Sequence, residues 1–272
     1  MPVFHIDDDN GLFYRHTAPT APDGITFVFF NALTGDTGMW EGVIGKTLRN
    51  SGHGTLSFNF RGQSDSPFSP LISLNADLII EDSLRLMSEI NPVRPVLAGL
   101  SIGGLFAART WLRGRHTFDC PGLVLINTLR QDGPRLRWIN DALVRCAEVG
   151  GLDLFRDLYA PLIFNEDWQV ENRKKFLTDT SYLPLPKSSG HYNLLKNAGS
   201  ADWDIPYEEI TLPVLLITGL QDRVFLDHRD VTELGARIPR AERVDMANAA
   251  HLLPAERPAE LAELLLQFTA RI

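Results

Sequence analysis

Apolar residues fall into two kinds of run along this chain. Val3–Ile6 and Leu12–His16 are short segments flanking Asp8-Asp9-Asn10-Gly11, and Asn-Gly between two such segments predicts a hairpin. Thr26–Phe30, Thr55–Phe60, Val96–Leu100, Leu123–Ile126 and Val214–Thr218 are apolar with little alternation, as expected of strands covered on both faces. Between them apolar residues recur at helical spacing. Ser73 is placed to N-cap a helix carrying Ala76, Ile79, Ile80, Ser83, Met87 and Ile90, with Pro92 and Pro95 closing it. Pro258 suits a first helical turn, and Leu261, Leu264, Leu265 and Phe268 follow as an i, i+3, i+4, i+7 stripe. Strands alternating with helices predict an α/β fold: a mostly parallel central sheet with helices on both faces and the opening hairpin at one edge.

One stretch breaks the alternation. From about Leu129 to Ile205 there are helical segments but no convincing strand, with aromatic residues scattered among charges and turns at Pro184, Pro186 and Ser188-Ser189-Gly190. That is too long for an ordinary loop and reads as a helical cap over one end of the sheet. The expected organisation is a first part of the core over residues 1–128, a cap insertion over 129–205, and the second part of the core over 206–272.

Composition narrows the partners. The chain has 272 residues, 44% hydrophobic and 22% charged, the balance of a globular protein rather than a disordered chain or coiled coil. Its net charge of −8 lacks the basic surplus of a nucleic-acid binder. Two cysteines, Cys120 and Cys146, can build neither a disulfide framework nor a Cys-rich zinc site and suggest free thiols in a reducing compartment. The N-terminus is acidic, the reverse of a signal peptide, and apolar runs such as Val214–Ile217 are far too short to span a bilayer. The expectation is a cytoplasmic protein acting on a small molecule, without nucleic-acid or membrane partners; self-association into a homo-oligomer stays open.

The chemistry gathers around Gly99-Leu100-Ser101-Ile102-Gly103-Gly104, a G-x-S-x-G sequence between a predicted strand and a predicted helix. Such a turn strains the serine backbone and needs neighbours without side chains two residues away on either side, which Gly99 and Gly103 supply. It lifts the Ser101 hydroxyl above the carboxyl ends of the strands and puts the Ile102 amide at a helix N-terminus, aimed at a developing oxyanion. A serine nucleophile needs a base. Of seven histidines, His251 lies in a small-residue loop between the run Arg243–Val244 and the last helix. Asp222 ends the loop after the run Val214–Thr218 and completes the order Ser…Asp…His. Asp227 and Asp230 fall where the next helix begins.

These features resemble the α/β-hydrolase fold family over nearly the whole chain. Phe60–Ser66 is similar to the family's R-G-x-G-x-S segment, with Gln63-Ser64 in place of x-G. The resemblance implies a second oxyanion donor after the third strand, which by position is the Leu33 amide. The family's His-Gly pair is absent there, so Asn31 must hold that loop by other hydrogen bonds. Asn31–Asp36 is also similar to the H-A-L-T-G-D segment of homoserine O-acetyltransferases, a pointer to acyl transfer.

Other motifs fail. Gly45-Lys46-Thr47 lacks the earlier P-loop glycine, which would have to stand at Trp40; there is no H-E-x-x-H metal motif and no G-x-G-x-x-G. No cofactor or metal is implied. Trp138 and Trp168 are candidate pocket residues, and Arg130, with Arg135 and Arg137, could hold a substrate carboxylate. The expected function is a serine hydrolase cleaving an ester, lactone, amide or thioester of a small molecule through Ser101, His251 and Asp222. Alternatives are an acyltransferase or C–C bond hydrolase on the same triad, a cofactor-free oxygenase, perhydrolase or lyase, and a slow-turnover ligand receptor.

Overall fold

A computed structural model describes residues 2–178 and 181–272. Its centre is a sheet of eight strands: β1 (Val3–His5), β2 (Gly11–Thr17), β3 (Thr26–Phe30), β4 (Gly54–Phe58), β5 (Pro95–Leu100), β6 (Gly122–Ile126), β7 (Val214–Gly219) and β8 (Ala241–Met246). The spatial order is β1-β2-β4-β3-β5-β6-β7-β8. β1 and β2 pair antiparallel with each other, β2 pairs antiparallel with β4, and the remaining pairings are parallel. The helices are α1 (Gly38–Glu41), α2 (Val43–Asn50), α3 (Ala76–Ile90), α4 (Ile102–Gly114), α5 (Pro134–Ile163), α6 (Glu166–Asn172), α7 (Gly190–Ala198), α8 (His228–Ala236), α9 (Leu253–Glu256) and α10 (Pro258–Thr269).

The unalternating apolar runs have a direct explanation in this layering. Val28 and Phe30 of β3 enter one core layer with Ile79 of α3, Phe106 of α4 and Leu234 of α8. Phe27 and Phe29 enter the opposite layer with Ile44 of α2 and Leu265 of α10. Successive side chains therefore face different apolar layers, and both must be hydrophobic. Burying a side chain such as Phe29 contributes about 1.5–3 kcal/mol.

Two local expectations are corrected. The N-cap of α3 is Asn75, whose side chain accepts the Leu78 amide at 3.0 Å, not Ser73; Asn reaches the third amide of its own helix, and Ser73 stands two residues too early. The hairpin turn is not a two-residue Asn-Gly turn. Gly11 already belongs to β2, and the Asp7 carboxylate closes the loop by accepting from the Asn10 side chain at 2.8 Å.

Between β6 and β7 the chain is helical, with α5, α6 and α7 and no strand among the described residues. α5 bends at Gly151, whose φ of 70° lies in the left-handed region; a Cβ there would overlap the Leu183 carbonyl. The inserted segment is tied to the loops beyond the sheet: the His251 amide donates to the Ile163 carbonyl and the Arg223 amide to that of Leu162, each at 3.0 Å. Among the described residues no helix is long and apolar enough to cross a membrane.

Candidate active site

Five loops leave the carboxyl ends of the parallel strands and converge. Ser101 follows β5 with φ 58° and ψ −125°, a conformation that costs a non-glycine residue about 1–3 kcal/mol and persists only where its surroundings impose it. The surroundings are visible: a Cβ on Gly99 would run into the Gly103 backbone, and one on Gly103 into the carbonyls of Phe30 and Asn31. Both glycines are there because backbone meets backbone, and the result is a sharp turn that exposes the Ser101 side chain to a cavity.

Asp222 and His251 are joined by a 2.6 Å hydrogen bond between Oδ2 and Nδ1. The other Asp222 oxygen accepts the amides of Val224 and Phe225 at 3.0 and 2.9 Å. Burial pushes the Asp222 carboxyl up, but the charge and hydrogen bond of His251 and the two amides outweigh it and hold the group below the usual carboxylate range. Asp227 instead caps α8, accepting from the Arg229 and Asp230 amides.

Ser101, Asp222 and His251 are all buried, and Ser101 and His251 line the same cavity of about 460 Å³. Ser101 Oγ accepts a 3.0 Å hydrogen bond from Arg130 Nη2. No hydrogen bond joins Ser101 to His251 among the described residues.

The oxyanion donors expected at Leu33 and Ile102 also line this cavity, and neither amide is taken by another hydrogen bond among the described residues. The loop that presents Leu33 is held by a polar network in place of the missing His-Gly pair. Asn31 Nδ2 donates to the Phe58 carbonyl, Asn59 Oδ1 and Gln63 Oε1 at 2.9–3.1 Å, while Trp40 Nε1 donates to Asn31 Oδ1 at 2.8 Å. Gln63 Nε2 grips the carbonyls of Ala32 and Leu33, each at 3.0 Å. In a trans peptide the N–H points opposite to the C=O, so holding the Ala32 carbonyl toward Gln63 turns the Leu33 N–H away from it. Gln63, at the variable position of the R-G-x-G-x-S segment, and Asn31 therefore act together in holding this loop. Arg61 of that segment pairs with Asp82 of α3 through two hydrogen bonds of 2.6 and 2.5 Å.

Two further residues position the histidine loop and carry no motif. Asn127, in the left-handed region at φ 49°, donates through Nδ2 to the carbonyls of Ala250 and His251, both at 2.9 Å, and accepts the Gly219 amide at 2.8 Å. Glu256 accepts the Ala250 and Leu252 amides on either side of His251 at 2.9 and 2.8 Å. It also accepts the Asn165 amide and side chain, at 2.8 and 2.6 Å. Their sequence signal is only a positive-φ-tolerant Asn after a strand and an acid at the end of a short helix, too common to single out.

The pocket expectations divide. Trp168 lines the cavity, stacked on Phe164 at 3.6 Å between ring centres. Arg130 lines it as well. Trp138 does not: it is 79% exposed, in an outer groove with Arg135 and Leu162, because it stands two residues along α5 from the buried, cavity-lining Leu136, on the opposite side of the helix. Arg135 is occupied by the carbonyls of Val224 and Leu226, and Arg137 by Asp132. Both thiols are free, and no group of side chains suited to hold a metal occurs among the described residues.

Comparison with known proteins bears on the family and the fold. A model described as the alpha/beta hydrolase family matches residues 27–264. The chain is 24% identical over 230 residues to 3-oxoadipate enol-lactonase 2 of Acinetobacter baylyi, covering 82% of each protein. An alpha/beta hydrolase enzyme from a Medee basin deep-sea metagenome library superimposes with a TM-score of 0.82 at 18% identity, over 99% of this chain and 97% of the other. The enol-lactonase of Burkholderia xenovorans superimposes with a TM-score of 0.77 at 22% identity, over 99% and 100%.

Proposed function

The chain belongs to the alpha/beta hydrolase family, and we propose that it is a serine hydrolase that cleaves an ester or lactone bond of a small molecule. The observation that carries this reading is Ser101 on its strained turn, facing the same cavity as a His251 already bonded to a buried Asp222. The lactonase names of two similar proteins support the bond type.

In this reading Ser101 Oγ attacks the carbonyl carbon while His251 Nε2 takes its proton. Asp222 keeps the Nδ1 proton directed toward itself and stabilises the imidazolium. The amides of Leu33 and Ile102 donate to the tetrahedral oxyanion; a single donor of this kind is worth about 10²–10³ in kcat. His251 then gives its proton to the departing alkoxide. Water, deprotonated by His251, attacks the acyl-enzyme, and the second collapse returns the Ser101 hydroxyl and releases the acid. The Ser101–His251 hydrogen bond forms as Oγ leaves Arg130 for the substrate-bound state, in line with the loosening of catalytic hydrogen bonds in empty sites. Residues 129–205 serve as the cap that closes the cavity, and the protein works in the cytoplasm.

The test is pre-steady-state hydrolysis of 4-nitrophenyl acetate. A burst of one 4-nitrophenolate per chain, followed by steady turnover that Ser101→Ala abolishes, is the expected result. Equal turnover by a folded Ser101→Ala protein overturns the reading, and capture of most of the acyl group by a millimolar alcohol, amine or thiol replaces hydrolysis with acyl transfer.

A further inference from the structure

Arg130 is a buried cation without a counter-ion. It is 5% exposed, as buried as Arg61 at 6%, yet Arg61 has a bidentate partner in Asp82 and Arg130 forms no ion pair among the described residues. Its hydrogen bonds run only to neutral oxygens: Nε to the Thr128 carbonyl at 3.3 Å, and Nη2 to the Asn127 carbonyl at 2.8 Å and to Ser101 Oγ at 3.0 Å. Nη1 makes none among the described residues. Asp222 is the carboxylate whose charge Arg130 feels, but both its oxygens are taken by His251, Val224 and Phe225. Burial pulls the guanidinium down to about 10, which still leaves it charged at neutral pH.

An unpaired charge in the interior is costly, and here aromatic faces offset part of the cost. The guanidinium carbon lies 4.6 Å from the Trp203 ring centre and 4.5 Å from that of Phe225. This form of compensation consumes no N–H. It leaves the Nη1 donors unused in a residue that lines the cavity and bonds the nucleophile.

We infer that Arg130 is a specificity-determining residue that holds a carboxylate on the acyl part of the substrate, close to the carbonyl that Ser101 attacks. The distances set the spacing. With Nη2 at 3.0 Å from Oγ, an Arg–carboxylate contact of about 2.8 Å and an attack distance of about 3 Å place the carboxylate roughly 5–7 Å from the reacting carbon. That separation corresponds to a glutaryl-length chain, or a lactone bearing a carboxylate arm of that reach. A carboxylate on the Nη1–Nη2 edge also competes for the Nη2 hydrogen that Ser101 Oγ accepts, and so releases Oγ toward His251.

The inference takes its kinetic readout from the hydrolase reading. The experiment compares 4-nitrophenyl hemiglutarate with 4-nitrophenyl valerate, a neutral ester of similar length, in the wild type and in Arg130→Gln. The wild type is expected to favour the hemiglutarate in kcat/KM by at least tenfold. Arg130→Gln should lose 30-fold or more on that ester, chiefly in KM, and lower the hemiglutarate-to-valerate ratio of kcat/KM at least tenfold. A wild type that prefers the valerate, or an Arg130→Gln that loses both activities in proportion, overturns the assignment. Calorimetric titration of glutarate into Ser101→Ala, with and without Arg130→Gln, separates the two readings when neither ester is cleaved. Glutarate binding that requires Arg130 then upholds the anion site while the hydrolase reading fails, and no binding overturns the site as well.

Discussion

Replacing Glu256 by Gln removes one acceptor oxygen and one charge without changing shape, at a site where every donor is identified. Glu256 is 6% exposed and faces four donors, the amides of Asn165, Ala250 and Leu252 and the side chain of Asn165. A glutamine has one acceptor oxygen. Its best orientation keeps that oxygen where Oε2 meets three donors and turns its NH2 against the Leu252 N–H. One buried donor is then unpaired, at about 1–3 kcal/mol, and three bonds lose charge assistance, each weakening by about 1 kcal/mol. Relief of the buried charge offsets part of this, leaving a net loss of about 2–4 kcal/mol. At about 2–4 °C per kcal/mol for a chain of this size class, thermal denaturation should move Tm down by roughly 5–15 °C. Because the lost contacts flank His251, kcat on 4-nitrophenyl acetate should fall about tenfold with KM within threefold. A Tm within 2 °C of the wild type refutes the hydrogen-bond reasoning; a lower Tm with unchanged kcat refutes the positioning role.

Asp222→Asn should lower kcat about 10⁴-fold while the protein stays folded, by favouring the wrong His251 tautomer; steady-state kinetics with a circular dichroism control decide it, and a harmless change moves the acid elsewhere. Asp222 is held below its unfolded value of about 3.9, so its contribution to stability is present above that pH and lost as pH falls through the folded value. Acid titration of unfolding free energy should accordingly show Asp222→Asn declining less steeply than the wild type below about pH 4, and equal slopes would contradict this. Asp82→Ala strands the buried Arg61 and should cost about 3–5 kcal/mol in urea unfolding; a loss under 1 kcal/mol would mean the pair is not buried as described.

Much of the fold and site was legible in the sequence where local pattern and tertiary role coincide. The strands of the core were readable because a strand between two apolar layers must be apolar throughout, as Phe27–Phe30 show. Ser101 was readable because its turn can form only between glycines, and Asp222 and His251 because they end consecutive strand–loop units. Partnerships over long separations left no pattern: Asn165 and Glu256 stand 91 residues apart, Asn31 and Gln63 32. The absence of His-Gly pointed to a substitute without naming Gln63. Trp138 and Trp168 looked alike as aromatic residues among charges; only the course of α5 and α6 puts one outside and the other in the cavity. The singular position of Arg130 among three nearby arginines depends likewise on which carbonyls and rings the fold brings to it.

The central claim is that Ser101 carries the acyl group. Acid-quenched mixtures of the protein with 4-nitrophenyl acetate, analysed by intact-mass and peptide-mapping mass spectrometry, test it most directly. The account predicts one acetyl adduct per chain within the burst, located on the peptide containing Ser101, absent from Ser101→Ala and accumulating in Asp222→Asn only on a slower timescale. Turnover of the ester with no adduct at Ser101, or with the adduct on another residue, would contradict it.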